Sequence, residues 1–85
     1  RAQKVLTTDT VNVVVFEFGE GHELSDHAAR HPVLIAVLSG RATMTVGDDS
    51  FELAPGALIH LEPMVRHAVV AHEPTTLTVT MLLPH

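Results

Sequence analysis

The stretch RATMTVGDDSFEL, Arg41–Leu53, decides the fold class through its alternation. Ala42, Met44 and Val46 fall on one face of an extended chain, and Arg41, Thr43 and Thr45 on the other. Strand side chains alternate with a period of two, whereas an amphipathic helix repeats its apolar positions every three to four residues. Gly47, Asp48 and Asp49 supply a turn. Phe51 and Leu53 then resume the alternation on a returning strand, so residues 41–53 read as a β-hairpin.

The same signal recurs on both sides. Towards the C-terminus, Thr76–Leu83 sets Leu77, Val79 and Met81 against Thr76, Thr78 and Thr80. Ala57–Leu61 and His67–Ala71 are further strands, punctuated by turns at Ala54-Pro55-Gly56 and His72-Glu73-Pro74. Towards the N-terminus, Val33–Leu38 (VLIAVL) is a continuous apolar run between Pro32 and Gly40, the pattern of a strand covered on both faces. Val11–Phe18 (VNVVVFEF) is rich in β-branched and aromatic residues and closes at Gly19-Glu20-Gly21. No segment has a helical period, and only His22–Arg30 (HELSDHAAR) favours no element. Short strands with turn signals about every 8–12 residues predict an all-β sandwich or barrel. The expected organisation is a single domain over residues 1–85.

Composition narrows the function classes. A chain of 85 residues buries only about 60–65% of its unfolded surface, so its core is thin. Trp and Tyr are absent and Phe occurs three times, which leaves the core to Val, Leu, Ile, Ala and Met. With no cysteine there is no disulfide framework, thiolate metal site or cysteine nucleophile. The formal charge is −5 and the basic residues Arg1, Lys4, Arg30, Arg41 and Arg66 are scattered, which disfavours nucleic-acid binding. No apolar run approaches the roughly 20 residues of a membrane span, and no signal peptide is visible. No membrane partner and a cytoplasmic location are therefore expected. VLIAVL and the apolar strand 11–16 offer more hydrophobic surface than one small barrel hides. A homodimer is expected, with outer sheet faces or the N-terminal strand at its interface.

The outlier is histidine, seven in 85 residues. Gly21 is followed by five residues and then His27, and Gly40 closes that segment after VLIAVLS. Gly56 leads after eleven positions to His67, within GALIHLEPMVRHAV. This spacing resembles the two motifs of the cupin superfamily, with motif 1 at about 21–40, the inter-motif hairpin at 41–55 and motif 2 at about 56–71. The resemblance covers roughly residues 10–83. It implies a double-stranded β-helix, an RmlC-like jelly-roll barrel, and a lumen in which three His and one Glu usually hold a metal. Here the second His of motif 1 falls on Ala29, its Glu falls on Val33, and the Pro-x-Gly of motif 2 becomes Glu62-Pro63-Met64. His27 and His67 alone stand at matching positions.

Each histidine has a bland reading beside the functional one. His27 and His67 are candidate metal ligands or pocket histidines, against ordinary core or rim residues. His31, four residues after His27 beside Pro32, is a weaker candidate ligand, against a loop residue. His60 is another. In Ala57–Leu61 the set Ala57, Ile59 and Leu61 is apolar, and the opposite set carries His60 with Glu62. That parity leans towards solvent or an interface, unless Leu58 marks the lumen side. His22, His72 and His85 are expected at the surface. Val33 and Ile35 are expected to line the pocket and Met64 its mouth, while Glu62 and Arg66 are placed for an exposed ion pair of small worth. Ser25, Asp26 and His27 are sequence neighbours that point apart on a strand, so they form no nucleophilic triad.

Three functions follow. The first is binding of a small, mostly apolar molecule in the lumen, with a polar handle near His67. The second is a metal-dependent enzyme of dioxygenase or isomerase type, holding Zn, Ni, Fe or Mn through His27, His67 and a substitute ligand; no cofactor at all is nearly as strong an expectation. The third is a dimeric interaction module. Fold alone does not choose among them.

Overall fold

The alternation becomes nine strands in the computed structural model, which describes residues 1–84 and has no helix among them. They are β1 (Ala2–Thr7), β2 (Val11–Phe18), β3 (Glu23–His27), β4 (Val33–Ser39), β5 (Ala42–Val46), β6 (Asp49–Leu53), β7 (Leu58–Leu61), β8 (His67–Ala71) and β9 (Thr75–Leu82). All pairings are antiparallel. A five-stranded sheet has the order β1-β2-β9-β4-β7, and a four-stranded sheet the order β3-β8-β5-β6. The hairpin 41–53 is β5–β6, with Met44 opposite Phe51. Among the described residues no helix is long and apolar enough to cross a membrane.

Two sheets face each other across the apolar sets of their strands, as in a jelly roll. From the larger sheet, Val33, Ile35, Val37, Leu61 and Leu77 point inward; Ala42, Met44, Leu53 and Val69 meet them from the smaller one. Met44 and Val69 are cross-strand partners, as are Val37 and Leu77, so the core is built from rungs. The packed core lies at one end of the sandwich. Towards the other end, Phe16, Leu24, Val79 and Met81 are only half-buried and the sheets part.

Two strands carry no readable apolar period. All six residues of β1 are exposed, and it pairs only with β2 at the sheet edge. β3 takes up Glu23–His27 of the ambiguous segment as the edge of the smaller sheet. An edge strand is secured by backbone pairing along one side, so its side chains need not be apolar.

The corner between β4 and β5 is tight. Gly40 has φ +90°, and a β-carbon there would lie 2.3 Å from the Pro74 carbonyl oxygen and 2.5 Å from Thr75 Cα. Thr75 fixes this corner from inside. Its buried hydroxyl accepts from the Arg41 amide at 3.1 Å and directs its proton between the carbonyls of Glu73 (2.8 Å) and Arg41 (3.0 Å).

Candidate functional site

His67 opens β8, the strand between β3 and β5, and strand parity carries it inward with Val69 and Ala71. It is 4% exposed. His27 closes β3 directly opposite it in the register. Simple parity would not put both on one face. Leu24 faces Val69 and points inward, so an unbroken strand would send Asp26 in and His27 out. Between Leu24 and His27, however, β3 advances three residues while β8 advances two. This one-residue bulge re-aims the side chains. His27 turns inward beside His67, the ring centroids 4.1 Å apart and tilted by 59°. Asp26 turns outward and pairs with Arg66, Nε to Oδ2 at 2.9 Å. Arg66 thus does not pair with Glu62 as its sequence proximity suggested; Glu62 lies 4.0 Å from His60 instead.

Both imidazoles are anchored in the same way. Nδ1 of His27 lies 2.9 Å from the Ser25 carbonyl oxygen, and Nδ1 of His67 lies 3.1 Å from that of Val65. A carbonyl only accepts, so in the neutral rings Nδ1 carries the proton and Nε2 presents a lone pair. Among the described residues neither Nε2 has a hydrogen-bond partner. Burial pushes the His67 pKa below its ordinary 6.5; the Val65 hydrogen bond opposes this, the neighbouring His27 adds to it, and Asp26 opposes it.

The pair looks into a cavity of about 370 Å³ at the open end of the sandwich. Val14 and Phe16 of β2, Leu24 of β3, Ala28 and Ala29 of the following loop, Val33 of β4, and Val79 and Met81 of β9 form its other walls. The volume lies at the lower end of the range for small-molecule pockets, about 300–1,000 Å³. One further polar atom stands near. Asn12 Oδ1 is buried without a partner, on the inward face of β2 two residues from Val14 and across from Met81.

The other candidates lie elsewhere. His60 is exposed beside Glu62, on the outer face of β7 opposite Leu34. His31 sits half-buried in the bend before β4 and does not line the cavity. Val33 is a wall of the cavity, whereas Ile35, one rung deeper on the same face, is sealed in the core. Met64 does not reach the cavity mouth: it is 64% exposed, at a turn with φ +68°. Its amide nevertheless donates to the Ala29 carbonyl at 2.7 Å and ties that turn to the cavity wall. His85 lies outside the described residues. Phe16, Leu24, Val79 and Met81 were not singled out from the sequence as lining residues, although the alternation of Leu77, Val79 and Met81 was present to mark the inward face of β9.

The residues present do not fit the metal that the motif resemblance implies. Ala29 and Val33 turn hydrocarbon into the cavity where the second His and the Glu would stand. Two imidazole nitrogens remain, fewer than the three protein ligands that a catalytic first-row ion ordinarily takes. Among the described residues, no group of three or more His, Cys, Asp or Glu side chains is placed to hold a metal.

None of the curated proteins matches the chain. Solved structures do. A cupin superfamily protein of Desulfitobacterium hafniense DCB-2 superposes with a TM-score of 0.92 at 20% identity, over 99% of this chain and 77% of that one. KdgF from a Halomonas species gives 0.91 at 20% identity, over 99% and 80%. An RmlC-like cupin of Shewanella frigidimarina NCIMB 400 gives 0.90 at 24% identity, over 99% and 76%. At these identities the likeness is one of fold. The Cupin_2 family, described as a cupin domain, matches residues 12–83. With its two-sheet jelly roll and a family match over most of its length, the chain belongs to the cupin family.

Proposed function

We propose that this cupin binds a small, largely apolar molecule between its sheets, with the His27–His67 pair as the polar handle. The observation that carries this reading is the cavity of about 370 Å³, whose walls are hydrocarbon except for two convergent imidazoles. Apolar walls supply affinity by removing ligand surface from water, at about 25 cal/mol per Å², and the few polar groups set orientation. The test is NMR titration with single-ring aromatic and branched aliphatic compounds. A binder shifts the resonances of Val14, Val79 and Met81, and Ala29→Leu, which intrudes on the cavity, weakens the binding. Absence of any such response at millimolar ligand would refute the reading.

A second reading is a metal-dependent enzyme. The observation favouring it is the anchoring of both Nδ1 atoms on carbonyls, the arrangement found behind metal-ligating imidazoles. It requires a third ligand supplied by substrate or solvent. Elemental analysis of tag-free protein decides it. Stoichiometric metal that is lost in His67→Ala supports this reading, and protein metal-free after incubation with Fe(II), Mn(II), Ni(II) and Zn(II) excludes it.

We also propose a homodimer through the outer face of the five-stranded sheet. Two ranks of side chains cross all five strands there: Leu6, Val13, Thr80, Leu34 and His60, then Gln3, Val15, Thr78, Ala36 and Leu58. Neither rank contains Asp, Glu, Lys or Arg, and Leu58 is 67% exposed. An uncharged band about 19 Å across, the four spacings of about 4.8 Å between five strands, suits a second copy of the same face better than solvent.

A further inference from the structure

The polarity of the cavity's handles constrains the ligand more sharply than the cavity's shape. His27 and His67 each spend their Nδ1 proton on a carbonyl of their own strand or its approach, at 2.9 and 3.1 Å. What remains is a pair of Nε2 lone pairs. The two rings cannot satisfy one another although their centroids are 4.1 Å apart, because two acceptors make no hydrogen bond. The orphan Oδ1 of Asn12, at the margin of the same inward face, is an acceptor too. No Lys or Arg lines the cavity to meet an anion. Among the described residues Asn12 Oδ1 is the acceptor sealed from solvent without a partner, whereas solvent reaches the two Nε2 atoms. A ligand that displaces that solvent must bring a donor of its own or leave them unpaired at a cost.

Building on the proposed binding function, we infer that the ligand is a neutral hydroxyl compound with an apolar body, such as a phenol or an alcohol. Its O–H donates to an imidazole Nε2, and a carboxylate of the same shape is rejected. Lone pairs on Nε2 face lone pairs on a carboxylate, and burial of an unpaired anion adds to the repulsion. A hydrocarbon of the same shape fills the walls but leaves the acceptors bare.

Three matched probes test this on tag-free, chelator-treated protein at pH 8: para-cresol, para-xylene and para-toluate, each titrated by NMR. The cresol should bind about 3- to 10-fold tighter than the xylene, the range set by one net hydrogen bond, and the toluate should bind weakest. Toluate or xylene binding as tightly as cresol would overturn the inference while leaving the binding cavity standing. No binding by any of the three would overturn both. A long-range proton–nitrogen correlation spectrum of the free protein gives an independent check. Protonated Nδ1 and bare Nε2 on both histidines are expected, and protonated Nε2 on either ring overturns the inference whatever the titrations give.

Discussion

Gly40 and Gly56 form a matched pair in which one physical effect can be separated from another. Their φ angles are +90° and +93°, so a side chain pays nearly the same backbone cost at either. That cost is about 1–2 kcal/mol for an L-residue in left-handed conformation, offset by up to about 1 kcal/mol of lost freedom in the unfolded chain. Gly56→Ala should therefore destabilise by about 1 kcal/mol, because nothing lies within 4 Å of its added β-carbon. Gly40→Ala adds a collision with backbone, 2.3 Å to the Pro74 oxygen and 2.5 Å to Thr75 Cα. Neither atom can swing away without disturbing the Thr75 hydroxyl bonds that close the corner. Overpacking of this kind costs about 1–3 kcal/mol, so the total at Gly40 should be about 2–4 kcal/mol. Urea denaturation followed by circular dichroism measures both, with unchanged slope showing that the unfolded state is the same. In thermal melts the difference should exceed about 4 °C for a chain of this size. Equal midpoints for the two variants would refute the reasoning.

Met64 is the converse case, a side chain at φ +68° where motif 2 ordinarily has glycine. Met64→Gly should stabilise by about 0.5–1 kcal/mol in the same urea assay, the strain relieved outweighing glycine's entropy. For pH, the folded-state pKa of His67 lies below its unfolded value of 6.5, so the unfolded chain binds more protons. Stability should therefore fall as pH drops through 6.5 and level off once His67 is protonated in both states; urea midpoints between pH 7.5 and 5.5 check this, and His67→Gln should flatten the slope. For the dimer, light scattering at tens of micromolar should give twice the chain mass, and Val13→Glu, placed in the uncharged rank, should return a monomer with an unchanged circular dichroism spectrum.

The strands legible in the sequence were those with one face in the core. β5–β6 and β9 announced themselves by alternation, and β4 by its continuous apolar run between Pro32 and Gly40. β1 and β3 were not legible, because an edge strand owes its position to backbone pairing rather than to apolar side chains. The site was legible in the same uneven way. The spacing from Gly21 and Gly56 brought His27 and His67 to one place, and parity correctly placed His60 with Glu62. Parity gives the face but not the depth, which is why Ile35 was expected in the cavity and lies in the core. It also fails across a bulge. The extra residue between Leu24 and His27 puts a histidine inward where simple alternation would put Asp26, and no period-two reading of HELSDHAAR contains that step. The tautomer of the two rings depends on carbonyls two residues back, which become visible only once the backbone is folded.

The position of β9 has a consequence in time. It is the last of the described strands and lies in the middle of its sheet, hydrogen-bonded to β2 on one side and β4 on the other. A nascent chain that has emerged only as far as Ala71 holds β2 and β4 with nothing between them. Val14 and Phe16 then have no fixed distance to Val33, so two walls of the cavity exist without a cavity. Closure of so distant a pairing comes late in folding. β9 therefore completes the larger sheet and the proposed binding chamber in the same event, and a chain lacking Thr75–Leu82 should be captured by chaperones rather than by ligand.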